Sequence, residues 1–248
     1  MQERPTLIIA DPSMLGSVRS RRDLLKIMAL GGAAVFLPGV MAACKNSKSP
    51  TGPILPGTGS PLTIDFAKGD IAVLQFAYLL EQLEADFYTK VVAAFGGSNL
   101  SAAEKTVVQD IMYHEVLHRE FLKAALGPSN NFTATPTYQN VNFSDRLSVL
   151  NTAKAFEDLG VAAYNGAAQY IASTDYLTLA GKIVSVEARH AAAIRDLLNP
   201  KSGDFAPTTF DNVFKPATVA AGAQPFIVQS LVLSNPPTMF VQGPNNNG

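Results

Sequence analysis

Apolar and polar positions alternate with a helical period over four stretches of this chain, and Gly, Pro and polar residues break the pattern between them. From Asp70 to about Phe95, Leu74, Ala77, Tyr88 and Val91 share one stripe, and Gly96-Gly97 ends the segment. Ser101 with Glu104 three residues on is a capping-box sequence, opening a second helix that Gly127-Pro128 stops near Leu126. Residues 129–142 are polar and carry no period. Ser144 or Asp145 opens a third helix to about Ile171, and Thr174 or Asp175 a fourth, ending at Leu198 before Asn199-Pro200. The first and third connections are short, so each joins an antiparallel helix pair. The middle one, roughly 16 residues, can reach about 50 Å when extended. A 25-residue helix is only about 37 Å long. The pattern therefore predicts an all-α four-helix bundle over residues 66–199: two antiparallel hairpins joined by a long crossover.

The flanks read differently. Residues 200–248 are loop-like, yet Phe210, Val213, Phe214, Phe226, Ile227, Val228, Leu231 and Leu233 are too apolar for a solvated tail. This segment is expected to pack on the bundle, with a frayed end from Pro236. Residues 1–43 read as a twin-arginine-type signal peptide: Ser20-Arg21-Arg22-Asp23-Leu24-Leu25-Lys26, then an apolar run from Ile27 to Val40 too short to span a bilayer. Met41-Ala42-Ala43-Cys44 resembles a lipobox, which makes Cys44 the expected lipidation site and residues 44–65 a flexible tether. The expected location is the periplasm or cell envelope after twin-arginine export, membrane-held if Cys44 is acylated. One Cys in 248 residues excludes an intramolecular disulfide, and a net charge of -1 gives no reason to expect nucleic acid as a partner.

The chemistry lies in an internal repeat. LEQLEADFY (80–88) aligns with FEDLGVAAY (156–164), pairing Glu81 with Glu157 and Tyr88 with Tyr164. Each copy is followed about 30 residues later by Glu-x-x-His: Glu115 with His118, then Glu187 with His190. Residues three apart share a helix face, so four carboxylates and two imidazoles converge on the bundle interior. Buried carboxylates without partners would each cost several kcal/mol. Two divalent cations remove that cost, with two carboxylates bridging and one His on each ion. Such a donor set suits iron or manganese. Glu84 lies on the same stripe as Glu81 and is its runner-up, but the repeat places it opposite Gly160, which cannot ligate. Tyr88 and Tyr164 are expected to hydrogen-bond the ligand carboxylates. No catalytic residue beyond the metal ligands is evident.

LEQLEADFY, YHEVLHREF, FEDLGVAAY and SVEARH resemble the helix signatures of the ferritin-like superfamily. Within it the chain is most similar to exported ferritin-like proteins related to plant desiccation-associated proteins, over about residues 66–235. The resemblance implies a ferritin-like bundle with a di-iron or di-manganese site. It implies no single reaction, since relatives oxidise or store ferrous iron, reduce peroxides or dismutate hydrogen peroxide. Dioxygen, peroxide and metal ions are the expected small partners, and a homodimer is compatible with the pattern. Two alternatives stand beside this. One is a non-catalytic metal-binding or stress-protection protein of the same fold. The other is a zinc peptidase, because His114-Glu115-Val116-Leu117-His118 is also a literal H-E-x-x-H.

Overall fold

The computed structural model describes residues 60–237; the expected signal peptide, Cys44, the expected tether up to residue 59 and residues 238–248 lie outside the described residues. Strand β1 (Leu62–Asp65) leads into four long helices: α1 (Asp70–Ala93), α2 (Ala102–Leu126), α3 (Arg146–Ala167) and α4 (Thr174–Leu198). A short helix α5 (Pro216–Ala223) and strand β2 (Leu231–Ser234) follow. Local chemistry sets the starts. Ser101 and Glu104 close a reciprocal capping box on α2, Asp145 accepts from the Ser148 amide at the head of α3, and Ser173 does the same for Tyr176 on α4.

Hydrogen bonds at the bundle ends give the topology. The start of α3 meets the α1–α2 turn, where the Arg146 amide donates to Asn99 Oδ1 at 2.5 Å and the Asn99 amide to the Ser144 carbonyl. Arg146 also reaches the Leu197 carbonyl at the end of α4. At the opposite end, Asp70 accepts from the amides of Ala172 and Ser173, and Gln75 donates to the Ser129 carbonyl just beyond α2. The segment between α2 and α3 therefore travels the length of the bundle, and α2 runs parallel to α3. This is an all-α bundle of two hairpins and one long crossover, as the sequence pattern predicts.

Two features depart from the sequence expectation. Leu62–Asp65, read as the end of the tether, instead forms β1 and pairs in parallel with β2, Leu62 opposite Leu231. Helix α1 is buried nearly all round rather than along one stripe. The crossover and the C-terminal segment cover its outer side: Tyr138 donates to the Leu83 carbonyl, the Ala134 amide to Gln82, and the Thr137 amide to the Phe226 carbonyl. Phe226 packs on Phe156 with ring centroids 4.5 Å apart. The backbone of this segment also closes on α3, where the Phe214 amide donates to the Ala162 carbonyl. A Cβ on Gly166 would lie 1.9 Å from the Phe214 carbonyl oxygen, so only glycine permits the approach.

Candidate metal centre

Helices α2 and α4 each bury a single stripe. On α2 it reads Val108, Ile111, Glu115, Leu122; on α4 it reads Ala180, Ile183, Glu187, His190, Ile194. In both, a carboxylate occupies a position that helical spacing reserves for the core. Glu81 on α1 and Glu157 on α3 do the same, and all four side chains are fully buried.

The six residues meet at one place and fall into two groups. Donor atoms of Glu81, Glu115, His118 and Glu187 lie within 4.8 Å of one another, as do those of Glu115, Glu157, Glu187 and His190. Glu115 and Glu187 belong to both. His118 Nδ1 lies 2.8 Å from Glu187 Oε1, 3.5 Å from Glu115 Oε2 and 3.6 Å from Glu81 Oε2. His190 Nδ1 lies 2.8 Å from Glu115 Oε1, 3.4 Å from Glu157 Oε2 and 3.7 Å from Glu187 Oε2. Each shared carboxylate thus turns one oxygen to each histidine.

The remaining oxygens are accounted for by tyrosines, crosswise between the repeats. Tyr164 on α3 donates to Glu81 Oε1 at 2.6 Å, and Tyr88 on α1 donates to Glu157 Oε1. Burial first, and then the adjacent carboxylate, push both phenols well above their ordinary range, so they remain protonated donors. What is left is a set of eight buried atoms with no hydrogen-bond partner: Glu81 Oε2, Glu157 Oε2, both oxygens of Glu115 and of Glu187, and Nδ1 of each histidine. The histidine–carboxylate approaches do not have hydrogen-bond geometry, and the eight atoms gather in the same two groups. Unpartnered buried polar atoms are rare and need a reason. Two cations supply one: the vacant atoms divide four and four, with an imidazole and three carboxylate oxygens in each group, and the two groups could each hold a metal ion.

Electrostatics fit the same arrangement. Burial pushes Glu115 and Glu84 well above the carboxylate range, and the neighbouring carboxylates push further. Burial likewise raises Glu157 to about 7, against the lowering by His190. For Glu187, contacts with His118 and His190 outweigh burial and hold it at about 2. Glu115 and Glu187 occupy equivalent places, so we read them as a pair with one charged member rather than as two different sites. Burial opposes charge on His190, but Glu115, Glu157 and Glu187 override it and raise the ring to about 12. Without a metal, protons do the neutralising.

Two further residues that the sequence singled out stand beside these groups. Glu84 contributes to neither donor group. It is buried beside the cluster, its Oε1 3.1 Å from where a Cβ on Gly160 would stand, so the glycine opposite it in the repeat makes room for it. His114 does not join His118 around one ion as a zinc peptidase needs. Its Nδ1 faces His190 Nε2 at 2.8 Å, an interaction across helices that the motif spacing did not reveal.

Residues 69–200, more than half of the chain, match the ferritin-like domain family. No curated protein matches the chain. With the bundle, its crossover and its buried Glu/His cluster on this stretch, the chain belongs to the ferritin-like domain family.

Proposed function

We propose that this protein holds two iron or manganese ions and handles dioxygen, peroxide or ferrous iron at the cell envelope. The observation that carries the reading is the set of eight buried, unpartnered donor atoms, split between two groups that share Glu115 and Glu187. Glu81, Glu115, His118 and Glu187 would hold one ion, and Glu115, Glu157, Glu187 and His190 the other. Iron or manganese there would supply redox chemistry toward small oxygen species. The protein's part is to fix the donors and exclude water. Tyr88 and Tyr164 lock Glu157 and Glu81 with one oxygen turned inward. A small cavity of about 20 Å³, lined by Ala77, Leu122, Tyr164 and Ile183 among other apolar residues, sits one helical turn from Glu81, His118 and Glu187. Its walls suit a small, weakly polar molecule better than an ionic one.

Metal analysis of the purified full-length protein tests this. About two iron or manganese ions per chain are expected, and no bound metal under any loading condition removes the reading. One zinc per chain, lost in His114→Ala, would instead favour the peptidase. Consumption of ferrous iron or hydrogen peroxide by the loaded protein then separates an enzyme from a non-catalytic metal binder.

The envelope location rests on the twin-arginine sequence and the lipobox-like Met41-Ala42-Ala43-Cys44. Cys44→Ser is expected to move the protein from the membrane fraction to the soluble periplasmic one. An unchanged distribution would remove the lipid anchor.

A further inference from the structure

The internal repeat breaks at one chemically telling position. The residue before the first Glu-x-x-His is His114, and the residue before the second is Val186. His114 Nδ1 lies 2.8 Å from His190 Nε2. The ring planes are 10° apart with centroids 5.1 Å apart. With two nitrogens so close, that separation sets the rings edge to edge in nearly one plane, which is an in-plane hydrogen bond and not a face-to-face stack. His190 therefore has both nitrogens committed: Nδ1 toward Glu115, Glu157 and Glu187, Nε2 toward His114. Among the described residues no hydrogen bond to the other nitrogen of His118 forms, and Val186 has no acceptor to offer.

Resting on the two-metal reading, we propose that His114 is a positioning residue for His190 and that it makes the two metal sites unequal. The Nε2–H of His190 donates to His114 Nδ1. That fixes the tautomer in which Nδ1 of His190 presents a lone pair to the ion shared with Glu115, Glu157 and Glu187, and it fixes the plane of the ring. His114 in turn carries its own proton on Nε2, on the exposed side of α2. A second-sphere acceptor on a metal-bound imidazole typically contributes about 10- to 100-fold in metal affinity. The site built on His190 is thus the tighter one, and the site built on His118 the weaker.

Manganese(II) titration followed by electron paramagnetic resonance, with cobalt(II) absorption as the spectroscopic signature of each site, tests this on the full-length protein. Wild type is expected to fill in two steps of unequal affinity. His114→Val, which restores the symmetry of the repeat, should weaken the tighter step by about 10- to 100-fold, shift its cobalt spectrum and leave the weaker step in place. His114→Asn, whose side-chain carbonyl can accept the same hydrogen bond, should recover most of the loss. Far-ultraviolet dichroism checks that each variant is folded. Two ions bound with unchanged constants in His114→Val would overturn the proposal while leaving the two-metal reading intact. So would a loss that His114→Asn does not recover, which would mark a packing role. A wild-type protein that binds no manganese or cobalt would remove both.

Discussion

Glu115→Ala or Glu187→Ala is expected to cost both metal ions, whereas Glu81→Ala or Glu157→Ala should cost chiefly one. The difference follows from which carboxylates are shared. Glu115 stands 2.8 Å from His190 through Oε1 and 3.5 Å from His118 through Oε2. Glu187 stands 2.8 Å from His118 through Oε1 and 3.7 Å from His190 through Oε2. Glu81 faces only the His118 group and Glu157 only the His190 group. Loss of a shared carboxylate removes a ligand from each ion and one negative charge from between two cations. Each site at 100 times its dissociation constant stabilises the fold by about 2.7 kcal/mol. Two filled sites are then worth about 5 kcal/mol, or about 10–20 °C in melting temperature for a domain of this size. Metal-dependent melting curves should show that full shift in wild type, about half of it in Glu81→Ala or Glu157→Ala, and almost none in Glu115→Ala or Glu187→Ala. Equal effects from all four variants would show that no carboxylate is shared.

The parts of this site that could be read from the sequence are those that obey a local period. Glu115 and His118, three residues apart, must share a face whatever surrounds them, and the alignment of Glu81 with Glu157 preferred Glu81 to Glu84 without any knowledge of packing. The helix starts were legible for the same reason, since the Ser101–Glu104 capping box is complete within four residues. What escaped is everything that depends on how one helix lies against another. The inward direction of Tyr88 and Tyr164 was evident, but not that each bonds the carboxylate of the opposite repeat. Gly160 was visible as a residue that cannot ligate, and the structure adds that it must be small because Glu84 fills the space beside it. His114 looked like half of a different motif because its true partner, His190, is 76 positions away.

Helix α1 teaches the same lesson on the scale of the fold. Its outer face carries Leu79, Leu80 and Phe87, and a helix apolar on all sides is a buried helix. The reading along a single stripe overlooked this. What covers that face is the crossover around Tyr138 and the segment around Phe226, neither of which has a period of its own. Strand β1 reads as tether in the sequence because its partner β2 lies at the far end of the domain, and a two-stranded parallel pair leaves no local signature.

Metal-free protein should be most stable on the acid side and lose stability as pH rises through neutrality, the reverse of what its metal-loaded form requires. The sign follows from which groups hold protons in the fold. Glu157 is raised to about 7, and Glu115 and Glu84 are raised as well. In the unfolded chain these carboxyls ionise near about 4.3. Between that value and neutrality the folded state binds more protons, so its stability falls as pH climbs. The histidines act in the same direction. His190 is raised to about 12 and His118 is also raised, so the stability from their charged contacts is complete below about 6.5 and drains away as pH rises toward the folded values. Glu187, held at about 2, contributes the opposite slope only at the acid extreme, where stability is lost as pH falls through that value. An optimum near pH 4–5 is therefore expected without metal, about where the ordinary carboxylate range ends. Metal ions must displace the protons on Nδ1 of both histidines and on Glu115 and Glu157, so their affinity strengthens with pH. Thermal melts of chelator-treated and manganese-loaded protein from pH 4.5 to 8 should show two curves that diverge, the first falling and the gap between them widening. Metal-free protein that grows steadily more stable from pH 5 to 8 would mean that the buried carboxyls do not carry protons in the fold, and that something other than a cation compensates their charge.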